Sequence, residues 1–220
     1  MTDAVLIKTY APPPVDEREI LRYAGVRGEA DEHTRELLSS CLEEAKDAFS
    51  YRVCYCTLPV SRWEEFFGKD GDCALAQKRL SGATYFVAFA ATVGLEIDRL
   101  LLKNGISSPS KAAMLQAVGA ERIESLCNAF CEELADTWNE KGLRIGARFS
   151  AGYGDFPLSA QTRLFARLDC QRKIGLTLSD TLMMAPTKSV TAIVPIYARA
   201  CVHTSDGCES CDKADCDYKK

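Results

Sequence analysis

Histidine is nearly missing from this sequence: His33 and His203 are the only two in 220 residues. A hydrolytic centre built on an imidazole base is therefore poorly supplied. Also lacking is an apolar run of the ~20 residues needed to cross a bilayer. The longest mostly apolar run, Ala83 to Leu95, is interrupted by Thr84, Thr92 and Gly94 and reads as a buried strand and turn. No membrane partner is expected. Met1 to Tyr10 holds no basic region followed by an apolar core and a small-residue cleavage site, so export is not expected either. Long basic runs are absent and the formal net charge is −4, which leaves counterion-release binding to nucleic acid little to work with.

What is present suits a packed globular chain. A hydrophobic content of 47% with 26% charged residues rules out disorder as the theme and allows a single core. A single domain is expected over residues 1–200, opening with a proline-rich arm at 1–14 and followed by a cysteine-rich tail at 201–220. Eleven cysteines cannot all pair within one molecule, and without an export signal they are expected to be mostly thiols in a reducing cytoplasm.

Along the chain, Pro12-Pro13-Pro14 fixes φ and favours an extended arm. Leu37, Leu38, Cys41, Leu42, Ala45 and Phe49 recur at helical spacing. His33, within Asp31-Glu32-His33-Thr34-Arg35-Glu36, reads as part of a helix start. Tyr51 to Leu58 is compatible with a strand, and Ser61-Arg62-Trp63-Glu64 has capping-box spacing. Thr84 to Ala91 predicts a buried strand, and Leu95 to Lys103 a helix closed by Asn104-Gly105. Pro109 opens a long helix to about Asn139, with a disturbance at Gly119, an apolar stripe through Ile123, Leu126, Phe130, Leu134 and Trp138, and Gly142 as terminator. Ser159 is expected to cap a helix to about Leu168, with strands at Ile174 to Leu178 and Val190 to Ile196. Helices and strands mix without regular alternation, which predicts an α+β fold with a mixed or antiparallel twisted sheet packed with several helices. Cys127 with Cys131, and Cys54 with Cys56, read as core packing.

The richest segment is Arg148-Phe149-Ser150-Ala151-Gly152-Tyr153-Gly154-Asp155-Phe156-Pro157-Leu158. An arginine offers a planar fork matched to a carboxylate, and glycine lets backbone approach a ligand closely. The tyrosine adds a π face suited to a positive centre. These residue types fit a zwitterionic, amino-acid-like ligand; they equally fit a tight turn whose arginine is a surface ion pair. Read instead as a dinucleotide loop, Gly152 to Pro157 has proline in place of the third glycine and no strand-loop-helix unit around it.

Arg148-x-x-x-Gly152-Tyr153, then Ile174-Gly175-Leu176-Thr177-Leu178-Ser179-Asp180-Thr181, then Met184-Ala185-Pro186-Thr187-Lys188-Ser189-Val190-Thr191 follow one another in an order that resembles the activation domain of cobalamin-dependent methionine synthase. The resemblance carries useful motifs from about residue 120 to 197. It implies that Arg148 anchors the methionyl carboxylate of S-adenosylmethionine, with Ser150, Gly152 and Tyr153 supplying nearby contacts. Tyr153 is further implied as the catalytic position, lying where the domain meets the cobalamin face and gating methyl delivery. The sequence departs from the pattern of the long enzymes, because Phe149 and Ala151 replace prolines and no histidine follows the tyrosine in Pro157-Leu158-Ser159.

In the tail, Cys201, Cys208, Cys211 and Cys216 include a pair at chelating spacing, expected either to hold zinc or an iron-sulfur cluster or to remain a reduced tail or redox-sensitive pair. The segment at His33 carries glutamate where a cobalamin-ligating Asp-x-His-x-x-Gly motif needs glycine, so cobalamin is expected on a partner protein. The resemblance thus implies a free-standing reactivation partner of a cobalamin-binding methyltransferase subunit, working with S-adenosylmethionine and an electron donor such as a flavodoxin-like protein. The chemistry implied is reduction of an oxidised, inactive cobalamin pulled forward by irreversible methylation. Two other readings stay open: a non-catalytic adaptor for a corrinoid protein, and a metal or redox sensor organised by the tail.

Overall fold

The computed structural model describes residues 4–198; Cys201, Cys208, Cys211 and Cys216 lie outside them. The chain runs β1 (Leu6–Tyr10), α1 (Glu17–Tyr23), α2 (Glu32–Ala45), β2 (Tyr51–Pro59), α3 (Trp63–Phe67), α4 (Ala74–Leu80), β3 (Ala83–Thr92), α5 (Glu96–Ser107), α6 (Pro109–Asn139), β4 (Leu143–Ile145), α7 (Ala160–Leu168), α8 (Cys170–Ile174), β5 (Thr177–Leu178), β6 (Met184–Ala185) and β7 (Ser189–Ala198). Five strands form one sheet in the order β1-β2-β3-β7-β4, and β5 and β6 form a separate hairpin. Every pairing among the described residues is antiparallel. The fold is α+β.

Strand alternation gives the sheet two buried faces. Val53, Val87, Phe89, Ala91, Ala192 and Val194 face a core shared with α1, α2, α5 and α6. Their neighbours Cys54, Cys56, Phe86, Ala88, Ala90 and Ile193 face a second core under α3, α4, α7 and α8. Burial on both sides explains why β3 and β7 read as near-continuous apolar runs. On the first face Phe130 packs against Phe89 and Tyr55, with ring centroids 4.9 Å and 5.1 Å away. On the second, Trp63 meets Phe67 at 4.3 Å and Phe86 edge-on at 5.2 Å.

The dominant element is α6, 31 residues without a break. Pro109 sits in its first turn, and Gly142, at φ 72°, lies just beyond its end. Gly119 does not disturb it. A Cβ there would stand 2.9 Å from Cε of Lys188, so the missing side chain makes room for the lysine stem. The arm is held against the same helix. β1 pairs with β2, and the carbonyls of Pro13 and Pro14 accept 2.7 Å hydrogen bonds from the buried Arg122 guanidinium.

Several local expectations shift. α2 ends at Ala45, and Phe49 packs beside Tyr51 instead of extending the helix. α5 runs past Asn104-Gly105 to Ser107, because Asn104 is buried and its amide donates to the Leu100 carbonyl. The break comes at Ser108, where the following proline disfavours helical backbone. Ser61 caps nothing; a 3₁₀ turn at Val60–Arg62 leads into α3. Ser159 precedes α7, but its hydroxyl donates to Asp70. Ile174 ends α8, Gly175 reverses the chain at φ 72°, and only Thr177–Leu178 is extended.

Candidate functional site

The loop after β4 is placed by β7. Leu143, Arg144 and Ile145 pair with Ala198, Tyr197 and Ile196. Gly146 then donates to the Pro195 carbonyl at 2.7 Å, and Phe149 exchanges backbone hydrogen bonds of 3.0 Å and 2.8 Å with Ile193. Only glycine fits at 146, since a Cβ would lie 2.6 Å from the Tyr197 ring and 2.9 Å from Pro195. With Phe149 buried in the second core, alternation sends its neighbour Arg148 to the opposite side, against α6.

Arg148 is about a quarter exposed, with a side-chain accessibility of 27%. Its Nη1 donates to Asn128 Oδ1 at 2.8 Å and its Nη2 to Glu124 Oε2 at 2.5 Å, so one N–H of each terminal nitrogen is engaged by groups one turn apart on α6. Cys127 is fully buried and Cys131 half-buried on the same stretch of helix, and burial pushes both thiols up. They are packing residues, as are Cys54 and Cys56.

Beyond Phe149 the chain folds on itself. The Tyr153 N–H donates to the Ser150 carbonyl at 3.2 Å, Phe156 N–H to the Tyr153 carbonyl at 3.0 Å, and Gly152 N–H to the Phe156 carbonyl at 2.8 Å. Gly152 and Gly154 adopt φ of 89° and 56°, which makes the tight reversal possible. Phe156 anchors it, 1% exposed, with ring centroids 5.5 Å from Phe67 and 5.8 Å from Phe149. Asp155 ties the tip to α4: its carboxylate accepts from the Ala74 and Leu75 N–H groups at 2.6 Å and 2.9 Å. Those N–H groups, Leu75 first, hold its carboxyl below the usual range. Tyr153 is left 62% exposed at the tip, Gly152 is exposed, and Ser150 is half-buried.

All four residues singled out for ligand binding, Arg148, Ser150, Gly152 and Tyr153, thus lie on one anchored loop, with Arg148 facing α6 and Tyr153 at the exposed tip. The partners Glu124, Asn128 and Asp155 were not singled out. The Met184 to Thr191 segment acts at a distance, by fastening β7. Ser189 bonds to the Pro186 carbonyl and the Thr92 hydroxyl, and Thr187 donates through N–H and hydroxyl to Asp98.

Two clefts lie elsewhere. One of about 610 Å³ is bounded by α7, the start of α8 and the β5-β6 hairpin; another of about 90 Å³ is lined by Cys56, Leu58, Arg62, Glu65, Phe66 and Arg167. Neither is lined by a residue of the 148–158 loop. Among the described residues, no group of three or more histidine, cysteine or acidic side chains is arranged to hold a metal ion. No helix among them is long and apolar enough to cross a membrane.

No family model matches the chain, and no curated protein matches it. Among solved structures, it is similar to the reactivation domain of MetH bound to AdoHcy, with a TM-score of 0.64 over 92% of this chain and 81% of that one. Identity is 16%, so the likeness is one of fold. The chain has a methionine synthase activation-domain fold.

Proposed function

We propose that the chain binds S-adenosylmethionine at the Arg148 loop and acts in trans as the reactivation partner of a cobalamin-binding methyltransferase, supporting reductive methylation of its oxidised cofactor. The observation that carries this reading is an arginine held by β7 pairing beside a glycine-tyrosine tip, on a fold shared with a domain solved with AdoHcy bound. AdoHcy, S-adenosylhomocysteine, is what S-adenosylmethionine becomes after giving up its methyl group.

The residues present fit such a ligand. Arg148 supplies a charge-assisted fork for the carboxylate. The exposed glycine at 152 permits close backbone approach, and Tyr153 offers an exposed ring for a cationic centre. S-adenosylmethionine supplies the activated methyl group; this chain's contribution is to bind and orient it and, once docked, to exclude water. Cobalamin belongs on the partner, and a flavodoxin-like protein is the proposed class of electron donor. Zinc or an iron-sulfur cluster at Cys201, Cys208, Cys211 and Cys216 remains a separate proposal, checked by elemental analysis and an absorbance spectrum of anaerobically purified protein.

Calorimetric titration with S-adenosylmethionine tests the reading. Binding is expected for the native chain and its loss for Arg148→Ala with the far-ultraviolet circular dichroism unchanged; equal affinity of the two proteins removes Arg148 from the site. A second reading draws on the same contacts. Because Glu124 and Asn128 already engage and hold Arg148, the loop also suits a corrinoid-protein adaptor that uses no S-adenosylmethionine. A thermal-shift series separates them, since only a ligand of the native state raises the apparent melting temperature with its concentration.

A further inference from the structure

We infer that Glu124 is an internal competitor for the ligand's carboxylate, so that ligand entry is an exchange of one carboxylate for another on Arg148. The inference rests on the proposed binding of S-adenosylmethionine at this loop. Its basis is the geometry of the guanidinium. Nη2 donates to Glu124 Oε2 and Nη1 to the amide oxygen of Asn128, so the outward N–H pair that would grip a carboxylate side by side is divided between two residues of α6. Glu124 and Asn128 are four residues apart, which stacks them on one flank of the helix, and Arg148 lies across that flank. A ligand carboxylate that takes the N–H of Nη2 now given to Glu124, together with that of Nη1, does so by displacing Glu124.

The exchange is feasible because the pair is only partly buried. Side-chain accessibilities of 27% for Arg148 and 42% for Glu124 leave the glutamate free to swing into water without stranding a charge. An ion pair with its carboxylate this open to water is worth about 1 kcal/mol or less, at most about five-fold in an equilibrium constant. Releasing it costs little, yet the cost is subtracted from every carboxylate-bearing ligand and from no other. Glu124 is therefore an affinity-setting residue: it weakens ligands that bring a carboxylate relative to those that lack one, and it keeps Arg148 positioned when no ligand is bound.

Glu124→Gln tests this, with Glu124→Ala as a second variant in case glutamine retains the contact. The probes are S-adenosylhomocysteine, which carries the amino-acid end, and methylthioadenosine, which lacks it, both titrated calorimetrically. Removing the competing charge is expected to tighten S-adenosylhomocysteine binding about two- to five-fold and to leave methylthioadenosine affinity as in the native protein. Unchanged or weaker S-adenosylhomocysteine binding in both variants, with the native chain still binding it through Arg148, overturns the inference alone. Absence of binding in the native chain and both variants overturns the proposed site as well, so the two failures are distinguishable.

Discussion

Asp155 shows how a single side chain sets the loop. Its carboxylate closes the first turn of α4 from outside the helix, accepting from two N–H groups that would otherwise lack partners. A carboxyl held below its usual range stabilises the fold at pH values above the unfolded-state pKa, near 4, and that support is lost as pH falls through the lower folded value. Asp155→Ala is expected to lower the melting temperature at neutral pH by roughly a few degrees. The difference from the native chain should shrink as the medium is acidified below about pH 4. Thermal melts across a pH series check this; a gap that stays constant would assign the effect to something other than the ionised cap. Arg148 belongs to the same scale, because its charge is useful only where Phe149 and Gly146 put it.

Among elements, α6 and the arm give the clearest energetic contrast. Arg122 and Glu121 are each 2% exposed and paired to each other, and Arg122 also holds the Pro13 and Pro14 carbonyls. Arg122→Ala leaves the Glu121 carboxylate buried without its cation, so a loss of about 3–5 kcal/mol is expected in urea unfolding. Arg22→Ala, which removes an exposed pair with Glu19 on α1, should cost under about 1 kcal/mol. Equal losses would mean that the buried pair carries no special weight.

The elements also mark what the sequence revealed. α6 was legible because its apolar stripe repeats over many turns and Pro109 and Gly142 bound it. β2, β3 and β7 were legible from β-branched and aromatic runs. The end of α5 was not, since Asn104-Gly105 reads as a terminator unless burial of Asn104 is known. Nor was α8, because Ile174 looks the same in a helix facing the second core as in a strand. The loop could be found from its own residue types. Glu124 and Asn128 could not, because a polar pair on a helix resembles any solvated flank until the pairing of Phe149 with Ile193 lays Arg148 across it.

At the scale of the whole molecule, one antiparallel sheet is covered on both faces, and the candidate loop leaves its β4 edge. The proposed role requires this chain to dock on a protein that carries the corrinoid. Mixing it with an oxidised corrinoid methyltransferase, a reductant and S-adenosylmethionine is expected to restore the absorption spectrum of the methylated cofactor. Omission of this chain, or Arg148→Ala in its place, should leave the spectrum unchanged; recovery in either control would remove the proposed role.

The unbroken run of α6 ties these scales together mechanically. Glu121 and Arg122 clamp the arm, while Glu124 and Asn128 clamp Arg148, all within about two turns of the same rod. Over so short a span an unbroken helix turns nearly as one body. A twist or slide of α6 that loosens the arm is therefore expected to reach the guanidinium through Glu124 and Asn128.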